Sequence, residues 1–179
     1  MPHFSHGSVQ QSHQRGSAKQ RETFNLPESY GIVSMPAIVR RATPADTDPI
    51  FALGTAEPAF GVSPAIRFYE HRELEEWIAA PEGNLLFVLE EGGEIAGFFF
   101  CKIMSSHWAY LDNFYVRPVS RGRGYGRLLI QALLSQLKNQ GIAYLSTLVD
   151  KQDPFLAGYF GKCGLVAEKT YVWQERFVE

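Results

Sequence analysis

The chain has 179 residues, 45% of them hydrophobic, and its 17 basic and 19 acidic side chains leave a formal net charge of −2. That length suits one domain with a sizeable core, and that charge balance argues against an extended nucleic-acid or membrane surface. No apolar run approaches the ~20 residues of a bilayer span, the N-terminus lacks the apolar segment of a secretory signal, and two isolated cysteines, Cys101 and Cys163, read as buried thiols, so a cytoplasmic protein is expected.

Residues 1–34 are rich in Ser, Gln, His, Gly and Arg and carry no hydrophobic periodicity, so they read as a loosely ordered tail before a domain over residues 35–179. His3, His6 and His13 lie in this tail without Cys or acidic partners at ligand spacing, and no metal is expected. The pattern then predicts a strand over 37–41 and a helix opened by Thr43-Pro44, an N-cap followed by proline. A second helix is expected over about 65–79. Apolar runs at 85–89 and 94–103, joined by Glu91-Gly92-Gly93, read as a hairpin. A strand over 109–116 follows, then a helix over 124–139 with apolar residues at 128, 129, 130, 133, 134 and 137. A strand over 143–149, a helix capped by Asp153-Pro154 and running to about 162, and a last pair of strands over 166–177 complete the chain.

The segment AYLDNFYVRPVSRGRGYGRLL, residues 109–129, carries the chemistry. A strand feeding a helix through an Arg- and Gly-rich loop makes a pyrophosphate site. The first N–H groups of the helix lack intrahelical partners, and the helix dipole adds positive charge there. Gly122, Gly124 and Gly126 allow close approach and positive φ, while Arg121, Arg123 and Arg127 add fixed charge suited to phosphate oxygens. The dinucleotide fingerprint G-x-G-x-x-G fails because it needs glycine at 127, not 126. The Walker pattern fails because Arg127 and Leu128 follow Gly126.

What fits is R-x-x-G-x-G at Arg121, Gly124 and Gly126, directly after a V-x-P strand end at Val116 and Pro118. With F-Y-V-R-P before it and an apolar helix after it, the motif resembles the acetyl-coenzyme A pyrophosphate motif of the GNAT N-acetyltransferase superfamily. I-V-R-R-A-T-P-A-D resembles that superfamily's first strand and helix. The resemblance covers roughly residues 37–177. It implies an α/β fold with a mixed, mostly antiparallel twisted sheet of six to seven strands, splayed at its central strands, with about four helices on both faces. It implies acetyl-CoA as acyl donor, with the backbone of Phe114, Tyr115 and Val116 pairing with the pantetheine arm. Arg121, Gly122, Arg123, Gly124, Tyr125, Gly126 and Arg127 would hold the pyrophosphate. Asp153 falls where the family often has an Asn bonded to pantetheine, although an N-cap role explains it equally well.

Acyl transfer to an amine needs a proton acceptor for the amine and a donor for the departing thiolate. Asp112 is the candidate base. It shares strand parity with Tyr110, Phe114 and Val116, so the four face one side unless a bulge intervenes. Y-L-D-N-F-Y-V is similar to the matching stretch of spermidine/spermine-type acetyltransferases, whose carboxylate is proposed to act through water. The alternative is that Asp112 makes an internal ion pair. In the family's usual F-Y-E-K-x-G-F ending, Tyr protonates the thiolate. Here that position holds Phe160, with Tyr159 one residue earlier and pointing about 100° away. Either Tyr159 reaches in or water is the donor, and Phe160 packs against the cofactor arm.

Phe60, Phe68, Tyr69, His71, Trp77, Trp108 and Trp173 are candidates to line the acceptor cleft, each more often a packing residue. Glu70, Glu73, Glu75 and Glu76 read as a solvated helix face. The acceptor is expected to be a primary amine on a small polyamine or amino compound. Protein N-termini or lysines, and a catalytically weak acyl-CoA-binding module, are the alternatives. The sequence does not give the oligomeric state; the resemblance adds only that a homodimer through the last strands is common among relatives.

Overall fold

The computed structural model describes residues 36–61, 68–150 and 152–167 and scattered positions beyond. The expected tail, residues 1–34, lies outside the described residues. Five strands form one sheet in the order β1 (Ile38–Arg41), β2 (Asn84–Glu91), β3 (Glu94–Ile103), β4 (Trp108–Val116), β5 (Tyr144–Thr147). The first three pairings are antiparallel and β4–β5 is parallel. Helices α1 (Thr47–Ala56) and α2 (His71–Ala79) supply one core, around Ile50, Leu74, Phe98 and Phe100. Helices α3 (Tyr125–Asn139) and α4 (Pro154–Lys162) contribute to the other, around Phe99, Leu111, Leu129, Leu133 and Phe160. This is the mixed α/β sheet with helices on both faces that the resemblance implies.

Three expectations need correction. The sheet has five strands among the described residues rather than six to seven; part of 166–177 lies outside the description, and the positions within it that are described are not strand. Helix α2 starts at His71 rather than about 65. Glu70 is extended there and forms a reciprocal capping box with Glu73, which fixes the start and accounts for two of the four glutamates; residues 62–67 lie outside the description. Leu134 is exposed rather than in the core stripe, because α3 rests on the sheet through Leu129, Leu133 and Leu137.

The β1–α1 corner is held by a buried carboxylate. Asp46 accepts from Arg40 Nη1 and Nη2 at 2.7 and 2.9 Å and from the Thr43 N–H and hydroxyl at 2.7 and 2.8 Å. Burial alone would raise the Asp46 carboxyl, but the bonds from Arg40 and Thr43 outweigh it and hold the group below its ordinary value.

Candidate active site

The sheet opens at β4. Its parallel pairing with β5 runs only from Trp108–Tyr144 to Leu111–Thr147, and Thr147 Oγ1 closes the ladder by donating to the Leu111 carbonyl at 2.9 Å. On its other side β4 stays paired with β3 up to Val116. Among the described residues, therefore, no strand pairs with residues 112–116 on the β5 side. The Arg117 N–H donates to the Ala96 carbonyl at 2.9 Å. Antiparallel alternation then turns the backbone groups of Tyr115 and Asn113 toward β3, and those of Phe114 and Val116 toward the open edge. Of the three residues expected to offer backbone groups to pantetheine, Phe114 and Val116 turn theirs to the open edge and Tyr115 turns its own to β3.

The loop after β4 leads into α3 through Gly124, whose φ of +81° makes it a left-handed N-cap. The N–H groups of Tyr125, Gly126 and Arg127 precede the first intrahelical bond, which Leu128 makes to the Gly124 carbonyl, and the first turn carries no acidic residue. The arginines divide in a way the motif does not reveal. Arg123 pairs with Glu91 through both terminal nitrogens, one at 2.7 Å, and lies over the Tyr125 ring at 4.8 Å. Buried Tyr125 donates to the same Glu91 at 2.5 Å, and burial, reinforced by that bond, pushes its phenol up to about 12. Arg121 donates through Nε to the Val116 carbonyl at 3.0 Å and approaches Glu57 at 3.7 Å. Arg127 has no ion pair among the described residues.

Asp112 sits on a β-bulge. Phe100 faces Asn113 and Cys101 faces Leu111, so Asp112 is the extra residue of β4. The bulge reverses the parity of the residues before it. Phe114 and Val116 belong with the α3–α4 core, whereas Asp112 turns to the α1–α2 face; the bulge does intervene, so the four residues expected to share a side in its absence do not. There Tyr69 Oη donates to Asp112 Oδ2, and Lys102 Nζ lies 2.8 Å from the same oxygen. The internal ion pair is thus present, and among the described residues it engages one carboxylate oxygen only. Burial, then the bond to Asp112, holds the Tyr69 phenol well above its ordinary value. Lys102 stands between 5.4 and 5.7 Å from the Tyr69, Trp77 and Phe100 ring centres. Trp77 and Phe100 stack 4.3 Å apart, so an ammonium equidistant from both lies beside the stack rather than over a face. The carboxylate, more than the rings, holds it.

Of the other cleft candidates, Phe60 stacks on Phe68 at 5.6 Å, His71 pairs with Asp48 at 2.7 Å, and the Trp108 indole donates to Ser146 at 2.8 Å. Trp173 lies outside the described residues. Sequence reasoning missed Lys102 and Glu91. The hairpin register, which sets Lys102 opposite Tyr110, was the available signal for the first.

On the far side of the open edge, Phe160 is buried and meets the Phe114 ring edge-on at 5.7 Å. Tyr159 projects toward α3. A methyl group at Gly126 would stand 2.6 Å from the Tyr159 hydroxyl, so this glycine, helical rather than left-handed, makes room for that side chain. The Tyr159 hydroxyl is buried with no hydrogen-bond partner among the described residues. Burial, with Cys163 adding to it, raises its phenol above the ordinary value. Asp153 caps α4, accepting from the Leu156 N–H at 3.0 Å.

Residues 55–165, more than half of the chain, match the acetyltransferase (GNAT) family model. The chain belongs to the GNAT acetyltransferase family. Acetyl-CoA is that family's acyl donor. A mycothiol acetyltransferase of Streptomyces bingchenggensis is 29% identical over 156 residues, which are 83% of this chain and 48% of that protein, so the chain spans about half the length of this curated relative. Two solved GNAT-like structures show the same fold. An aminoglycoside acetyltransferase from an uncultured soil metagenomic sample, in complex with sisomicin, aligns with TM-score 0.66 at 17% identity over 80% of this chain and 97% of the other. The PaiA N-acetyltransferase of Thermoplasma acidophilum, in complex with coenzyme A, aligns with TM-score 0.62 at 19% identity over 76% and 94%.

The open site fits such a donor on its own chemistry. An unpaired strand edge offers N–H groups at Phe114 and Val116 to an amide-bearing arm. A helix start with no acidic residue in its own first turn, and with Arg127 there, offers donors and positive charge to a pyrophosphate, while Glu91 from β2 is occupied by Arg123 and Tyr125.

Proposed function

We propose that this chain transfers an acetyl group from acetyl-CoA to a primary amine on a small amino compound, by direct attack with both substrates bound. When bound, acetyl-CoA supplies the thioester carbonyl that the amine attacks. Phe114 and Val116 would orient the pantetheine arm through their outward backbone groups, and the α3 N-terminus with Arg127 would hold the pyrophosphate. Arg121 stands close enough to join them by exchanging the Val116 carbonyl for phosphate.

The observation that carries the catalytic reading is the one-sided engagement of Asp112. With Oδ2 occupied by Tyr69 and Lys102, Oδ1, which has no partner among the described residues, would accept a proton from an incoming amine or from a water beside it. The other half falls to water: the Tyr159 hydroxyl is buried against Gly126 in the first turn of α3, at the end proposed for the pyrophosphate, so water is the proposed donor to the departing sulfur. The absence of cysteine from β4 and its following loop supports direct attack over an acyl-enzyme.

The acceptor is argued from chemistry and from relatives. Asp112 on the α1–α2 face suits an amine, and the related proteins include enzymes named for mycothiol and aminoglycosides. Thiol release from acetyl-CoA at pH 8, followed across polyamines, amino acids, aminoglycosides, amino sugars and short peptides, tests this. Release driven by one class of small amine is the expected result. Release driven by peptides alone would replace the small acceptor with a protein one, and none with any amine would contradict the catalytic reading.

A further inference from the structure

The carboxylate read above as the base already touches a primary amine of the chain itself. Lys102 Nζ lies 2.8 Å from Asp112 Oδ2, and its side chain is 38% exposed, so it is not sealed in the core. Lys102 reaches this point from β3, where it pairs with Tyr110, two residues before the bulge. The open edge of β4 begins beside that bulge, where the ladder to β5 ends at Leu111. The free end of a lysine is therefore held at the proposed base, one strand in from the open edge. Beside the Trp77–Phe100 stack it is held, among the described residues, by the ion pair and by the Tyr69 ring 5.6 Å away, and a partly exposed pair is a modest restraint.

We propose that Lys102 is a self-acetylation site. It takes the acetyl group from acetyl-CoA when no free acceptor amine is bound. The inference rests on the acetyltransferase reading above. A new bond forms between Lys102 Nζ and the acetyl carbonyl carbon, and the thioester C–S bond breaks. Of the three ammonium protons, one leaves through Asp112 to solvent, one ends on the coenzyme thiol, and one stays as the amide N–H. The modification removes the Lys102 charge and dissolves its ion pair, leaving Asp112 with Tyr69 as its hydrogen-bond partner on Oδ2.

The test incubates the full chain with deuterated acetyl-CoA and no added amine, then maps label by peptide mass spectrometry. The readout is the position of a mark on the protein itself. Label at Lys102 is expected to grow at least tenfold faster than at Lys138 or Lys162, at a rate per molecule independent of protein concentration. It should fall at least tenfold in Asp112→Asn. Lys102→Arg serves as the blank for the mass assignment, and coenzyme A in excess should suppress labelling at Lys102 but not at Lys138 or Lys162, which keeps the test informative if Asp112→Asn unfolds. Acetyl phosphate, a donor without the coenzyme, should show no preference for Lys102. Equal labelling of all three lysines, or the same preference with acetyl phosphate, would overturn the proposal. No label at Lys102 with small amines turned over normally removes this proposal alone. No label together with no turnover of any amine removes the acetyltransferase reading as well.

Discussion

Asp112 shows how one backbone irregularity sets the chemistry available. Without the bulge its side chain would follow Phe114 and Val116 into the α3–α4 core, where a carboxylate has no partner. With it, the carboxylate meets Tyr69 and Lys102 through one oxygen and keeps the other. Asp112→Asn is expected to lower kcat for the preferred amine on the order of a hundredfold, in line with loss of a general base, while coenzyme A affinity measured by calorimetry stays unchanged. An equal loss of affinity would mean that the residue shapes the cleft instead. The arginines differ in the same way. Arg127→Ala should weaken coenzyme A binding on the order of tenfold, the size of a lost charge-assisted contact to phosphate. Arg123→Ala should act first on stability, by releasing the Glu91–Tyr125 cluster that fixes the start of α3. A larger affinity loss from Arg123→Ala than from Arg127→Ala would reverse this assignment.

The elements carry two further expectations. Gly126→Ala gains helix propensity of about 1 kcal/mol yet sets a methyl group 2.6 Å from the Tyr159 hydroxyl. The variant should show little net change in melting temperature but lose turnover, because α4 must yield. Adding Tyr159→Phe should relieve the clash, so the pair is less destabilising than the sum of the two changes in a double-mutant cycle. At the β1–α1 corner, the folded Asp46 carboxyl titrates below its ordinary value of 3.8, so the unfolded chain takes up its proton first. The resulting stability is fully present above about pH 5 and fades as pH falls through 3.8 and below. Denaturant melts should show the wild type losing its advantage over Asp46→Asn in that window; a constant gap down to pH 2 would contradict the account.

These same elements mark what could be read in advance. The hairpin, the strand over 109–116 and the long helix were legible because periodicity and glycine placement are local signals. The R-x-x-G-x-G loop was legible because phosphate chemistry demands those residue types together. The bulge was not, since it is fixed by strand register across Phe100 and Cys101, and neither was the capture of Arg123 by Glu91, 32 residues distant. The Tyr159–Phe160 offset was visible in the sequence. That Phe160 would take the core and leave the Tyr159 hydroxyl unpartnered against Gly126 depended on how α4 packs on α3.

At the scale of the molecule, the sheet has to hold together and open at once. Antiparallel pairing from β1 to β4 provides the rigid half, with Phe98, Phe99 and Phe100 of β3 wholly buried between the two helix layers. The parallel pairing of β5 ends at Leu111, and everything proposed for the donor follows from that early ending. Amide hydrogen exchange resolved by residue, with and without coenzyme A, examines this most directly. The account predicts new protection at Phe114, Val116 and the first amides of α3, Tyr125 to Arg127, with Tyr115, already bonded to β3, unchanged. Coenzyme A that binds while leaving Phe114 and Val116 exchanging freely would contradict it.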